Sequence, residues 1–267
     1  MISNGLFKWT VVTVAALWIA LLMVGCGTDP TPTSTPEPTP TPTEEPTPTP
    51  TEEPTGPFTF EYTFDSGDEG WTGDFADLPT SDTDFYELVF ERRELPDYLA
   101  EGEYGLYLSG QNASDDLFMF IKRKLEGLQP NTTYDVRFFV EIATKAPSGA
   151  VGIGGPPGES VYLKAGASTE EPIPVPDEDN RFYRLNVDKG NQAGGGSDAI
   201  VLGHIGSSFT DPGNETYEFK EFENTDQAFE VTTDDEGVCW VFFGTDSGFE
   251  GTSSLYYTNV QVDLEAK

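Results

Sequence analysis

From residue 58 onward the chain alternates between apolar and polar positions. In FTFEYTF, Phe58, Phe60, Tyr62 and Phe64 fall on one face and Thr59, Glu61 and Thr63 on the other. A period of two predicts a half-buried β-strand. The same reading gives strands at FYELVF from Phe85, YGLYLSG from Tyr104, LFMFIKRKL from Leu117, TYDVRFFVEIA from Thr133 and SVYLKAGAS from Ser160. FYRLNVD, DAIVLGHIG, YEFKEFE, QAFEVTTD, GVCWVFFGT and SSLYYTNVQVDLE complete the series. Clusters of Gly, Asn, Asp and Pro separate most of these runs, as turns require. No segment keeps a helical period, so the pattern predicts an all-β fold, a large antiparallel β-sandwich rather than a parallel α/β sheet. In GVCWVFFGTD both faces of the alternation are apolar, which places Cys239 in a buried central strand.

The first 57 residues follow a different rule. Residues 10–24, TVVTVAALWIALLMV, are uninterruptedly apolar and follow a start whose one charge is Lys8. Such a run is short for a membrane span, which needs about 20 residues, and has the layout of a signal peptide. Residues 28–57 hold 11 Pro, 11 Thr and 5 Glu, leaving nothing to bury. A disordered, extended spacer is expected, reaching roughly 90 Å at about 3.1 Å per residue. The remaining 210 residues are enough for one sizeable core.

At the junction stands MVGC, which resembles the lipobox of bacterial lipoproteins. The resemblance implies cleavage after Gly25 and a diacylglyceryl thioether on Cys26, the residue that becomes the acylated N-terminus. Two or three acyl chains hold a protein to a membrane durably where one does not. The chain then divides into a signal peptide, 1–25; a lipidated cysteine and disordered Thr/Pro/Glu linker, 26–57; and a single β-sandwich domain, 58–267. The expected location is the cell envelope, with the domain facing outside the cytoplasm. An uncleaved helical anchor extended by Leu6 to Trp9, with Cys26 an incidental thiol, is the alternative.

Charge narrows the partners. Residues 58–267 carry 13 basic and 41 acidic side chains, a net charge near −28. A polyanion of this kind is repelled by phosphate backbones, so nucleic acid is not an expected partner. Cys239 is the only cysteine after Cys26, so the domain has no internal disulfide. His204 is the only histidine, which excludes a two-histidine metal site.

Three local patterns sharpen the fold. FDSGDEGW, from Phe64, resembles the opening of galactose-binding-like jelly rolls, and LYYTNVQV, from Leu255, resembles their closing strand. That resemblance implies a jelly roll with a structural calcium ion near the first strand. Asp65, Asp68 and Glu69 are the candidate ligands, with Glu61 beside them, although Thr258 stands where those modules often carry Asp. Calcium takes about 6–8 oxygen ligands, and acidic turns at a sandwich rim can converge to supply them. LQPNTTY, residues 128–134, matches the tyrosine-corner pattern of fibronectin-type sandwiches. In the middle, VGIGGPPGESVYLKAGAS and RLNVDKGNQAGGGSDAIVLGHIG resemble a family of bacterial exported proteins and lipoproteins with no assigned activity. GIGGPPG lacks the Lys-Ser/Thr ending of a phosphate loop and reads as a crossing loop.

One resemblance bears on chemistry. RREL at Arg92, YLKAG at Tyr162 and GHI at His204 resemble alginate-lyase motifs, but in the wrong order and without the Gln of Gln-x-His. The favoured function is therefore a non-catalytic binding module for glycans, displayed from the envelope. Trp71, Tyr86, Tyr98, Tyr104, Trp240, Tyr256 and Tyr257 are its aromatic candidates for stacking on sugar faces. A jelly-roll polysaccharide-degrading enzyme and a ligand-free structural surface domain are the alternatives.

Overall fold

The computed structural model describes residues 56–210 and 216–267. The leader, Cys26 and all but the last two residues of the linker lie outside the described residues. Fifteen strands are present among those described: β1 Phe58–Tyr62, β2 Thr72–Ala76, β3 Leu78–Pro79, β4 Val89–Glu94, β5 Tyr104–Gln111, β6 Phe118–Leu125, β7 Thr133–Thr144, β8 Val161–Ser168, β9 Pro174–Pro176, β10 Phe182–Leu185, β11 Ala199–His204, β12 Glu218–Glu223, β13 Glu230–Thr232, β14 Cys239–Ser247 and β15 Thr252–Ala266. A 3-10 turn, Thr83–Tyr86, and one helical turn, α1 Asp97–Ala100, are the helical pieces among the described residues.

All the described ladders are antiparallel, and they form three sheets. Sheet A has the order β12-β7-β15-β5-β4, with β1 on β15 and β13 on β7. Sheet B runs β11-β8-β14-β6-β2, and a small sheet C runs β3-β10-β9. The long β15 carries the register of sheet A, pairing Leu255 with Thr144 at one end and Ala266 with Tyr134 at the other. A bulge between Tyr257 and Asn259 interrupts that ladder, and there the Thr258 hydroxyl donates to Glu141.

Alternation explains the core. Leu106, Leu108, Ile142, Val140, Leu255, Tyr257, Val260 and Val262 of sheet A meet Ile121, Leu163, Ala165, Val241 and Phe243 of sheet B. Trp71 is buried among Tyr62, Phe64 and Phe243, with ring centroids 5.5, 6.4 and 6.0 Å away. Cys239 is buried, and burial pushes its thiol up to about 12, so it stays protonated. The tyrosine corner is present: the Tyr134 hydroxyl accepts a 2.9 Å bond from the Gln129 amide.

Two expectations shift. FYELVF does not run as one strand, because Glu87 adopts φ 46° and the chain turns before β4 starts at Val89. Phe85 is consequently exposed while Tyr86 is buried. FYRLNVD is a strand only to Leu185, after which residues 186–198 form a strap over the outer face of sheet B. The strap is glycine-built for a steric reason: Gly190 has φ 68°, and a Cβ on Gly196 would meet the Asp188 carbonyl oxygen at 2.2 Å.

Ion pairs pin this strap. Lys164 of β8, with a fully buried side chain, donates to the Lys189 and Gly194 carbonyls and lies 3.0 Å from the buried Asp246 of β14. Lys189 reaches Asp246 at 2.7 Å and Asp77 at 2.9 Å. Burial draws the Lys164 pKa down, whereas the charges of Asp246 and Asp77 outweigh burial at Lys189 and raise it. At the strap's other side, Lys122 of β6 donates to the Pro172 carbonyl and pairs with Glu171 at 2.9 Å.

Candidate functional site

The outer face of sheet A carries the candidate site. Along β5, Leu106 and Leu108 point into the core, so Tyr107 points out. Along β15 the same rule turns Tyr256 outward between Leu255 and Tyr257. Register then aligns one row across the sheet: Glu91 opposite Tyr107, Tyr107 opposite Tyr256, Tyr256 opposite Ala143, and Ala143 opposite Phe219. With strands about 4.8 Å apart, the row spans roughly 19 Å.

Two rings of this row touch, and Tyr217, just ahead of β12, packs against one of them. Tyr107 and Tyr256 have centroids 4.9 Å apart, and Tyr217 meets Tyr256 edge-on at 5.1 Å. The Arg93 guanidinium lies 3.8 Å above Tyr107, and Lys145 Nζ lies 5.3 Å from Tyr217. Leu95, Leu99 and Ala100 flank the cluster, and from the same segment the Tyr98 hydroxyl accepts from the Tyr217 amide at 2.8 Å. Tyr98 is 62% exposed and Phe219 39%. Burial acts to raise the Tyr107 hydroxyl, but bonds from Ser109, Ser254 and Arg93 outweigh it and lower its pKa. Burial holds those of Tyr217 and Tyr256 above the ordinary value. The Tyr217 hydroxyl shares a 3.1 Å bond with Ser254, which also lines an adjoining groove of about 260 Å³ with Lys145, Pro147, Val151, Pro157 and Phe249. Val151 at its rim is almost wholly exposed.

This arrangement suits a ligand that is apolar on its faces and hydroxylated at its edges. Rings supply the first kind of contact, and tyrosine and serine hydroxyls, Arg93 and Lys145 the second.

Of the aromatics expected from sequence, Tyr98 is in the cluster and exposed, while Tyr256 is in it but buried, only 4% exposed. Trp71 and Tyr257 are core residues and Tyr86 is buried. Tyr104 is stacked under Arg92 at 3.7 Å, and Trp240 sits on sheet B. Tyr107 and Tyr217 were missed, along with Arg93 and Lys145. The signal for Tyr107 was present, since it occupies the outward phase of YGLYLSG, but its partners come from strands far apart in the chain.

The acidic candidates do not converge. Asp65 Oδ1 accepts from the Tyr104 amide at 3.1 Å and Asp68 Oδ1 from the Gly70 amide at 3.0 Å, while Glu69 Oε2 is buried without a hydrogen-bond partner. Among the described residues, no group of three or more His, Cys, Asp or Glu side chains is placed to hold a metal ion. The lyase-like residues also separate. Tyr162 and His204 face each other across β8 and β11, but Arg92 is on sheet A, donating to the Phe64 and Asp65 carbonyls. His204 Nδ1 accepts from the Gly206 amide at 3.2 Å, and burial together with Lys220 lowers its pKa.

No protein-family model matches the chain, and no curated protein sequence matches it. Among solved structures it is similar to the carbohydrate-binding module TmCBM27, described for specific mannan recognition, at 14% identity over 78% of this chain and 96% of that one, TM-score 0.38. It is also similar to the xylan-binding module CBM15, at 14% identity over 78% and 97%, TM-score 0.35. A third is the K1 cleaved adhesin domain of Lys-gingipain from Porphyromonas gingivalis W83, at 14% identity over 79% and 99%, TM-score 0.32.

Proposed function

We propose that the protein is an envelope-anchored lipoprotein that binds neutral glycans on the outer face of sheet A without cleaving them. The observation that carries the binding reading is the set of partly exposed aromatics on this face of sheet A, Tyr98, Tyr107, Tyr217 and Phe219, joined through the Tyr217–Ser254 bond to the groove beside Lys145. Ala143 and Tyr256 are buried beneath this cluster, which leaves the exposed Tyr98 and the half-buried Tyr107 and Tyr217 as the rings that can stack on the apolar faces of sugars. A domain with net charge near −28 repels polyuronates, so the ligand class is neutral. Lipid on Cys26 and a Thr/Pro spacer would hold this face clear of the membrane.

A glycan array of the full chain, set against Tyr98→Ala and Tyr107→Ala, tests the reading. Neutral polysaccharides should bind, uronate polymers should not, and each variant should lose about tenfold or more in affinity. Absence of any glycan binding, or full binding by both variants, overturns it.

A further inference from the structure

Beneath the strap, one amine is held against one carboxyl. Lys164 of β8 and Asp246 of β14 both have wholly buried side chains, and Lys164 Nζ lies 3.0 Å from Asp246 Oδ2. The two strands are hydrogen-bonded neighbours, with Lys164 opposite Gly244 and Asp246 opposite Tyr162, so the ladder itself brings the pair together. The strap residues Lys189, Gln192 and Gly194 complete the surroundings.

Hydrogen bonding prepares both groups for reaction. Lys164 Nζ donates to the Lys189 carbonyl at 2.8 Å and to the Gly194 carbonyl at 2.9 Å. A neutral amine has two N–H groups, and with both engaged its lone pair is left for the third neighbour, the Asp246 carboxyl. Burial draws the Lys164 pKa down, which favours that neutral form. On Asp246 the two oxygens differ. Oδ2 accepts from Lys189 Nζ at 2.7 Å and from the Gln192 amide at 2.9 Å, whereas Oδ1 is buried without a hydrogen-bond partner. Oδ2 is thus held by two donors, as an oxyanion would be, and Oδ1 loses no bond by leaving. Lys189 also touches Asp246, but its pair with Asp77 at 2.9 Å keeps it a cation.

We infer that Lys164 and Asp246 condense into an intramolecular amide bond once the strap has closed over sheet B. One proton passes from the Lys164 ammonium to Asp246 Oδ1, leaving a neutral amine and a carboxylic acid. Nζ then attacks Cγ, and the negative charge collects on Oδ2 against Lys189 and the Gln192 amide. A second Nζ proton moves to Oδ1, the Cγ–Oδ1 bond breaks and water departs, while the third proton stays on the amide nitrogen. An ammonium and a carboxylate become an amide and one water, and nothing is oxidised or reduced. Two features drive the step: the fold replaces a bimolecular encounter, and the product removes two charges from a site where they are costly. The bond ties β8 to β14 and is independent of any ligand on sheet A.

The test is tryptic mapping of the purified, denatured full chain by mass spectrometry. Trypsin does not cut after an acylated lysine, so segment 146–181 should be recovered joined to segment 221–267, at the sum of their masses less one water. Lys164→Arg should yield segment 221–267 unlinked. Should that variant fail to fold, the parent chain decides alone, because its linkage is read after denaturation. Cleavage after Lys164 in the parent with segment 221–267 recovered unlinked, or linkage of segment 221–267 through Lys189 instead, overturns the inference.

Discussion

At residue scale, single side chains connect distant parts of the chain. The Tyr134 ring is wholly buried and its hydroxyl accepts from Gln129, so Tyr134→Phe keeps the packing and removes one bond. A loss of about 1 kcal/mol in urea denaturation is expected. Asp116 makes a pH prediction. Burial, with Asp77 and Asp246 adding repulsion, raises its carboxyl to about 6, whereas an unfolded aspartate titrates near about 3.9. Between about pH 4 and 6 the folded protein holds a proton that the unfolded chain has released, so stability falls as pH rises through this window and levels off above it. Asparagine carries no such proton. The melting temperature of Asp116→Asn should therefore gain on that of the parent protein from pH 4 to 7, and a constant difference would show that Asp116 titrates alike in both states.

At the scale of elements, the strap over sheet B depends on charge more than on apolar area. Lys164 is bound by one carboxylate and two carbonyls, and removing it leaves Asp246 buried with Lys189 as its remaining ion-pair partner. Breaking a buried pair from one side costs about 3–5 kcal/mol, so Lys164→Met should lower stability by that order in equilibrium denaturation. Hydrogen exchange should locate the damage: the amides of Gly190, Gln192 and Gly196 should exchange faster, while those of β7 and β15 keep their relative protection. Uniform acceleration would mean that strap and sandwich open as one unit.

For the whole molecule, the dominant feature is the acidic surface. If Asp65, Asp68 and Glu69 hold a structural calcium ion, calcium should raise the melting temperature well beyond magnesium at equal ionic strength, because the site binds the folded state only. Equal rises from both ions would mean general screening and end the ion-site reading. Cys26→Ser should abolish acylation and leave an unprocessed precursor, read by mass spectrometry of the membrane fraction; an unchanged lipid mass on the variant would exclude Cys26 as the attachment point.

The alternation of FTFEYTF, YGLYLSG and TYDVRFFVEIA by itself determined the all-β antiparallel fold, because a strand buried on one face must repeat every two residues. Apolar residues on both faces of GVCWVFFGTD placed Cys239 in the interior, and the match of LQPNTTY to the tyrosine-corner pattern placed the Tyr134 hydroxyl against nearby backbone. Short strands such as β2 and β9 were not legible, since three to five residues without clear alternation gain their structure from the ladders they join. Only the tertiary structure decided which aromatics face solvent together. Tyr107 and Tyr256 meet through cross-strand register, and Tyr217, just ahead of β12, packs edge-on against Tyr256; no window of sequence contains either contact. It also decided the fate of the charges: Asp77, Asp116, Lys164, Arg184, Lys189 and Asp246 look like ordinary surface residues in sequence, and become one ionic cluster because the strap folds back over sheet B.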